Sequence, residues 1–219
     1  MRTFHEYQLD ELMVRLHGSL PFTRKINTIH IHHTAEPNKR NYKGLETIKN
    51  IYQYHTKTRG WSDIGYHWLI SPEGTIWVGR DPNRDPASIT NYNKGALAIA
   101  LIGNFDTEIL EEPQKKTAIE LTKFLLSTFQ LEAEKSIFFH KEKSATACPG
   151  KNIKKEDFLS WLKKEKELLD VQIRPIEIKR KGKTYKGYLF DNKAYVEVRE
   201  LIEDLGGKVQ WVDNKVIIS

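Results

Sequence analysis

Ala96-Leu97-Ala98-Ile99-Ala100-Leu101-Ile102 is an unbroken apolar run of strand length. A strand with one face in water alternates apolar and polar residues, so a run with no polar face must be covered on both sides. That requirement calls for a sheet with helices above and below it. The flanking sequence supplies both element types.

Leu9, Leu12, Met13 and Leu16 recur at helical spacing near the start of the chain. Thr28 to His33 reads as a strand, with Ile29 and Ile31 on one face and His30 and His32 on the other. Leu45, Ile48, Tyr52 and His55 return to helical spacing. Tyr66 to Ile70 and Thr75 to Val78 are strand-like around Ser71-Pro72-Glu73-Gly74, a hairpin turn signal. Pro113 precedes a long helical pattern that includes Ile119, Phe124, Leu125 and Phe129. Ile137 to His140 reads as a short strand, and Phe158, Leu159, Trp161, Leu162 and Leu169 mark another helix. Strands alternating with helices predict an α/β fold, a central mixed β-sheet flanked by helices.

The pattern breaks around Asp170 to Pro175. We expect residues 1–169 to form one domain and 172–219 a small α+β C-terminal domain of order β-β-α-β-β. Its strands are expected at Ile176 to Lys179, Thr184 to Leu189, Val209 to Val212 and Val216 to Ile218, with turns at Gly182 and Asp213-Asn214. Its helix is expected to bury Tyr195, Val198, Leu201, Ile202 and Leu205 and to end at Gly206-Gly207. A core that small is marginal and leans on a neighbour or partner.

The net charge of +6 fits attraction to a polyanion, such as nucleic acid, anionic lipid or the acidic polymers of a bacterial wall. The tail holds ten basic and seven acidic side chains, so the charge does not single out a binding module. No nucleic-acid-binding motif is present. No stretch approaches the ~20 apolar residues of a membrane span, so no membrane insertion is expected. Met1 to Leu20 carries Arg2, Glu6, Asp10, Glu11 and Arg15 without an apolar core, which predicts no signal peptide and a cytoplasmic protein until released.

The chemistry concentrates at His32 on one strand end, His140 on another, and Cys148 eight residues further on. Cys148 is the single cysteine, so no internal disulfide is available. Two imidazoles and a thiolate are a three-ligand set for zinc, which leaves a fourth position open for water. A structural zinc site would be closed by a nearby fourth Cys or His in C-x-x-C style, and none is present. The polar Lys141-Glu142-Lys143-Ser144 loop can bend back, and Cys148-Pro149-Gly150 forms a turn. The pattern therefore favours a catalytic metal. His30 shares the face of His32 and is the rival ligand.

Several motifs in order resemble the zinc-dependent N-acetylmuramoyl-L-alanine amidases, a family that includes phage lysozyme-type amidases and peptidoglycan recognition proteins. They are Ile31-His32-His33-Thr34-Ala35, Trp61-Ser62-Asp63-Ile64-Gly65-Tyr66-His67-Trp68, Ile99-Ala100-Leu101-Ile102-Gly103-Asn104-Phe105, and His140 with Thr146-Ala147-Cys148-Pro149-Gly150. The resemblance covers roughly residues 22 to 165. It assigns His32, His140 and Cys148 to Zn2+, and makes His33 a neighbour. It makes Tyr66 and Thr146 the catalytic residues that hydrogen-bond the attacking water and the oxyanion. It implies hydrolysis of the amide between N-acetylmuramic acid and L-alanine in bacterial peptidoglycan. In setting, the chain resembles a phage endolysin, with a host autolysin or a prophage remnant the alternatives.

The tail resembles more weakly the small domain at the N-terminus of some copper amine oxidases, through Tyr195-Val196-Glu197-Val198-Arg199 and Leu205-Gly206-Gly207-Lys208-Val209-Gln210-Trp211. It lacks a copper ligand set. In this context wall attachment is the expected role, with dimerisation or a spacer role as the alternatives. The principal rival for the whole chain is a non-catalytic peptidoglycan-binding protein; such relatives typically lose a ligand, and all three are present. A metallo-β-lactamase-like reading of His30-x-His32 needs an Asp where Thr34 stands.

Overall fold

The computed structural model describes residues 2–164, 174–180, 182–190, 193–196, 198–206, 209–212 and 215–218. In chain order these hold β1 (Glu6–Tyr7), α1 (Leu9–Gly18), β2 (Thr28–His33), α2 (Leu45–Gln53), β3 (Trp68–Ile70), β4 (Ile76–Val78), β5 (Ala96–Leu101), α3 (Glu112–Thr128), α4 (Ala133–Ser136), β6 (Ile137–Phe139) and α5 (Lys155–Lys164). The tail adds β7 (Arg174–Arg180), β8 (Lys183–Phe190), β9 (Lys193–Val196), α6 (Val198–Asp204), β10 (Val209–Val212) and β11 (Lys215–Ile218).

Six strands form one mixed sheet in the order β1-β4-β3-β5-β2-β6. β3, β5, β2 and β6 run parallel, while β4 and β1 are antiparallel additions at one edge. β5 lies in the middle and every one of its residues is buried, as its apolar run requires. One face of the sheet packs Ile29, Ile31, Leu97, Ile99 and Leu101 against α1, α3 and α5. The other packs Leu69, Trp77 and Ala100 under Ile48 and Ile51 of α2.

The alternation within β5 makes room for the histidines. Leu97, Ile99 and Leu101 fill the first core, while Ala98 and Ala100 stand directly beside His30 and His32 of β2. Small residues on that face leave space for two buried imidazoles, both with 0% exposure.

Local signals account for the helix starts. The Gln8 N–H donates to Glu11 Oε2 at 3.0 Å, and Asp10 and Glu11 occupy the positive first turn of α1. α3 starts with Pro113 in its first turn, where the missing N–H costs nothing. The Gln114 side chain then donates to the carbonyls of Ile70 and Ile102, both at 2.9 Å, tying α3 to the ends of two strands.

Three sequence expectations shift. α2 ends at Gln53, and the chain continues through a wider π-type turn, Tyr54–Thr58, that carries His55. β3 begins at Trp68, so Tyr66 lies in the loop before it. β6 stops at Phe139, and His140 opens a 3-10 turn.

The tail differs more. Tyr195 lies on β9, a third strand paired with β8, rather than on the helix stripe. Tyr195 and Val198 sit three apart, which mimics helical spacing across a strand–helix junction. Gly206 has φ +83, the left-handed conformation of a helix C-cap. Leu169, the proposed boundary at 170–172, Gly207 and the Asp213-Asn214 turn lie outside the described residues. β7–β8–β9 form one antiparallel sheet and β10–β11 a hairpin. Phe190 packs on Met13 and Val14 of α1, and Asp10 receives the Tyr195 hydroxyl at 2.7 Å and the Lys193 ammonium at 3.1 Å.

Candidate metal centre

The parallel strands β2 and β6 end side by side, and each delivers one imidazole at that end. His32 is the penultimate residue of β2, and His140 follows directly after β6. Their ring centroids are 4.9 Å apart. Cys148 reaches the same point on a loop, its Sγ 3.5 Å from His32 Nδ1. One ligand atom from each of His32, His140 and Cys148 lies within 4.8 Å of the others.

The Cys148 loop is fixed along its length. The Lys141 N–H donates to the Cys148 carbonyl at 2.8 Å, and the N–H groups of Lys143 and Ser144 donate to the His140 carbonyl at 3.0 and 3.1 Å. The Lys141 ammonium donates to the carbonyls of Gly150 and Ile153, both at 3.1 Å. The His33 N–H points at Cys148 Sγ from 3.4 Å. Gly150 has φ +106, and a Cβ there would lie 2.4 Å from the Phe105 carbonyl carbon. Only glycine lets the loop close this tightly against Phe105 in the loop after β5.

The donor set suits a cation. His32 is fully buried, and its Nε2 has no hydrogen-bond partner among the described residues. A buried orphan nitrogen is costly in protein alone, whereas a metal among nitrogen and sulfur donors satisfies such a group. Burial, and then the nearby imidazoles, push the His32 pKa well below 6.5. Its ring is therefore neutral, the form that ligates metal. Burial lowers His140 in the same direction. Burial also pushes the Cys148 thiol up to about 12, so a metal taken up here would have to displace its proton.

His30, the rival ligand, is committed elsewhere. Its Nδ1 lies 2.9 Å from Ser88 Oγ, its Nε2 lies 3.4 Å from Thr28 Oγ1, and its ring stacks on Phe138. His33 points to the opposite face and accepts the Phe105 N–H on Nδ1 at 3.1 Å. It clips the loop after β5 and takes no part in the cluster.

Tyr66 stands over the cluster, its ring centroid 5.1 Å from that of His32. Burial, followed by the Cys148 charge, raises its pKa, so the phenol keeps its proton and can donate. Its backbone is held on both sides. The Arg80 guanidinium donates to the carbonyls of Ile64 at 2.8 Å and Asp63 at 3.2 Å, and the Tyr66 carbonyl accepts the Arg80 N–H at 2.8 Å. Thr146 is exposed, and its hydroxyl accepts the Cys148 N–H at 3.3 Å. Its visible role is to shape the turn that carries the thiol.

Two further residues support the site and carry no motif signal as ligands. His55 accepts the Gly65 N–H on Nδ1 at 3.2 Å and packs between Trp61 and Tyr66. His67 accepts the Ala98 N–H on Nδ1 at 2.9 Å, and its Nε2 meets the Arg84 carbonyl at 2.9 Å, pinning the start of β3 to β5. A cleft of about 1110 Å³ lies elsewhere, between α1 and β8, lined by Arg15, Trp68, Asp81 and Tyr188 among others. None of the metal-cluster residues lines it.

Residues 22–151 match the sequence profile of the N-acetylmuramoyl-L-alanine amidase family. Peptidoglycan-recognition protein SC2 of Drosophila simulans is 36% identical over 128 residues, 56% of this chain and 67% of that protein. Among solved structures, the N-acetylmuramoyl-L-alanine amidase endolysin LysCS of Clostridium intestinale is 33% identical, with a TM-score of 0.56 over 64% of this chain and 85% of that one. A Drosophila PGRP-LB variant in complex with tracheal cytotoxin aligns with a TM-score of 0.57 at 26% identity, over 64% of this chain and 83% of that one. With the profile spanning more than half of the sequence and the ligand cluster inside the matched segment, the chain belongs to the N-acetylmuramoyl-L-alanine amidase family.

Proposed function

We propose that the chain is a zinc-dependent hydrolase that cleaves the amide between N-acetylmuramic acid and L-alanine in bacterial peptidoglycan. The observation that carries this reading is the convergence of His32, His140 and Cys148 on one point, with a buried His32 nitrogen left unpartnered. A purely recognising protein has no need of that convergence.

A zinc ion bound there would supply Lewis acidity, making water easier to deprotonate and the carbonyl easier to attack. His32, His140 and Cys148 are the side chains that would hold it. Tyr66 donates its hydroxyl proton as a hydrogen bond to the oxygen that gains charge when water adds to the lactyl carbonyl carbon. A neutral phenol serves this role because it stabilises the developing charge without competing for the proton. Thr146 sits at the mouth of the turn and offers a second hydroxyl there once its own acceptor bond is met. The carbon–nitrogen bond then breaks, the alanine nitrogen leaves protonated, and the lactyl carboxylate stays on the sugar.

The test is digestion of purified peptidoglycan, with and without a zinc chelator, scoring new amino termini and new reducing ends. New N-terminal alanine without reducing ends, lost on chelation and restored by zinc, is the expected result. Wall binding with neither product would replace this reading with that of a recognition protein, which is the activity the names of the Drosophila relatives describe. The action on a wall from inside or outside its host, and attachment through residues 172–219, belong to this proposal. Among the described residues no helix is long and apolar enough to cross a membrane.

A further inference from the structure

The histidine face of the sheet carries a second built feature beside the metal cluster. β6 is the edge strand, and its Phe138 stands directly opposite His30 on β2. The two rings stack at 5.9 Å and 17°, and His30 lies 6.2 Å from His32. Lys143, three residues beyond His140, holds its ammonium 4.3 Å over the Phe138 ring and 5.1 Å over Tyr92. Tyr92 meets Phe138 edge-on at 6.3 Å. Phe138, Tyr92 and Lys143 thus form one accessible ledge, backed by the buried His30 that lies between Phe138 and His32.

The loop that presents Tyr92 is tied to the same ledge. Asn93 Oδ1 accepts from the N–H groups of Ser88 and Ile89 at 3.0 and 2.9 Å and from Ser88 Oγ at 3.3 Å. Ser88 Oγ is also the group that meets His30. Asn91 takes φ +67, a left-handed conformation that Asn tolerates better than most residues. The product of this construction is a tyrosine ring with 42% exposure beside a lysine. Among the described residues no carboxylate pairs with Lys143, whose ammonium instead rests over the Phe138 and Tyr92 rings.

We infer that this ledge is the subsite for the peptide arm of the substrate, with Lys143 pairing to a stem carboxylate and Tyr92 packing against the chain beside it. The assignment rests on the amidase reading above. It follows from where charge lies on a muramoyl peptide. The lactyl carboxyl is consumed in the scissile amide, so the carboxylates that remain belong to the peptide. A fixed ammonium on two aromatic faces next to the cleavage point therefore matches the peptide side and not the neutral sugars.

The test uses N-acetylmuramoyl-L-alanine peptides that differ only in whether the stem carboxylates are free or amidated. Cleavage, binding by calorimetry and zinc content are measured for the wild-type chain, Lys143→Met, Lys143→Glu and Tyr92→Ala. The wild-type chain is expected to favour the free-carboxylate peptide. Lys143→Met should raise KM for that peptide by about tenfold while leaving kcat, zinc content and the amidated peptide nearly unchanged. Lys143→Glu should invert the preference, and Tyr92→Ala should raise KM for both. An unchanged free-to-amidated ratio in Lys143→Met would overturn the subsite. If the wild-type chain cleaves neither peptide, the amidase reading fails, and the same ratio read from binding still decides the ledge.

Discussion

His55 Nδ1 accepts the backbone N–H of Gly65 at 3.2 Å, and the same ring meets Tyr66 edge-on at 5.7 Å. A histidine ten residues upstream thus sets both the backbone before Tyr66 and the tilt of its ring. Burial, followed by Arg59 and Arg80, lowers the His55 pKa to about 4, so the ring is neutral and able to accept. His55→Ala leaves a buried N–H without a partner and should cost about 2–4 kcal/mol. Displacement of Tyr66 should lower kcat by roughly 100-fold with zinc content unchanged. Metal analysis beside single-turnover rates checks this. Loss of zinc in the variant would show that His55 supports the ligands rather than Tyr66.

Gly150 is the other point where the backbone decides the site. At φ +106, a side chain there is strained and would press into Phe105. Gly150→Ala should destabilise the fold by about 1–3 kcal/mol and loosen the Cys148 loop. A denaturant melt with a parallel zinc titration is the measurement. Wild-type stability with wild-type affinity would mean that the loop shifts freely.

The fold and the grouping of His32, His140 and Cys148 were legible because their signals are local and periodic. The continuous run at Ala96–Ile102 marked a strand covered on both faces, and alternation in Thr28–His33 separated His32 from His33. His140 and Cys148 sit in one short segment, so their convergence needs only a bend. Tyr195 misled because no glycine or proline separates β9 from α6, and a strand residue then fell in phase with the helix stripe. The His55–Gly65 bond and the Tyr92–Phe138–Lys143 ledge join residues from different elements. Their geometry depends on the π-type turn after α2 and on β6 lying at the sheet edge, and neither is written in a periodicity. Thr146 matched a motif, but what the fold displays is its bond to the Cys148 N–H.

Acid should unfold this protein from an unusually high pH. Burial is the first cause at all three of His30, His55 and His67, lowering them to about 4, 4 and 3 from an ordinary 6.5. Between those values and 6.5 the unfolded chain binds protons that the folded chain refuses. Stability is therefore full above pH 6.5 and falls as pH drops toward 4. Each group contributes a slope of about 1.4 kcal/mol per pH unit, and the three together approach about 4. Urea midpoints measured from pH 7.5 to 4.5 check this, ideally on chelated protein. A flat profile would show that the imidazoles protonate in place.

Asp10 joins the tail to α1. Burial pushes its carboxyl up, but the hydrogen bonds from Tyr195 and Lys193 outweigh that and hold it below 3.8. A depressed carboxyl stabilises its contact above its ordinary pKa and loses that stabilisation as pH falls through the lowered value. Asp10→Asn should therefore expand the molecule at neutral pH, read as a larger radius of gyration by small-angle scattering. An unchanged radius would assign the docking to Phe190 on Met13 and Val14 alone.

Zinc affinity should depend on pH with the signature of one thiol. His32 and His140 are both pushed down by burial and lose no proton near neutrality, whereas Cys148 sits at about 12 and must lose one. The apparent affinity should then rise about tenfold per pH unit across the neutral range. Competition with a chromogenic chelator at several pH values measures that slope. A slope near two would mean that one imidazole is protonated in the metal-free protein. Cys148→Ser removes both the thiolate and the slope, because a hydroxyl is a far poorer zinc ligand. Affinity should drop by more than about 100-fold and become nearly independent of pH between 7 and 9. Full activity of Cys148→Ser in chelator-treated buffer would remove the cysteine from the metal site and leave the two imidazoles without their third partner.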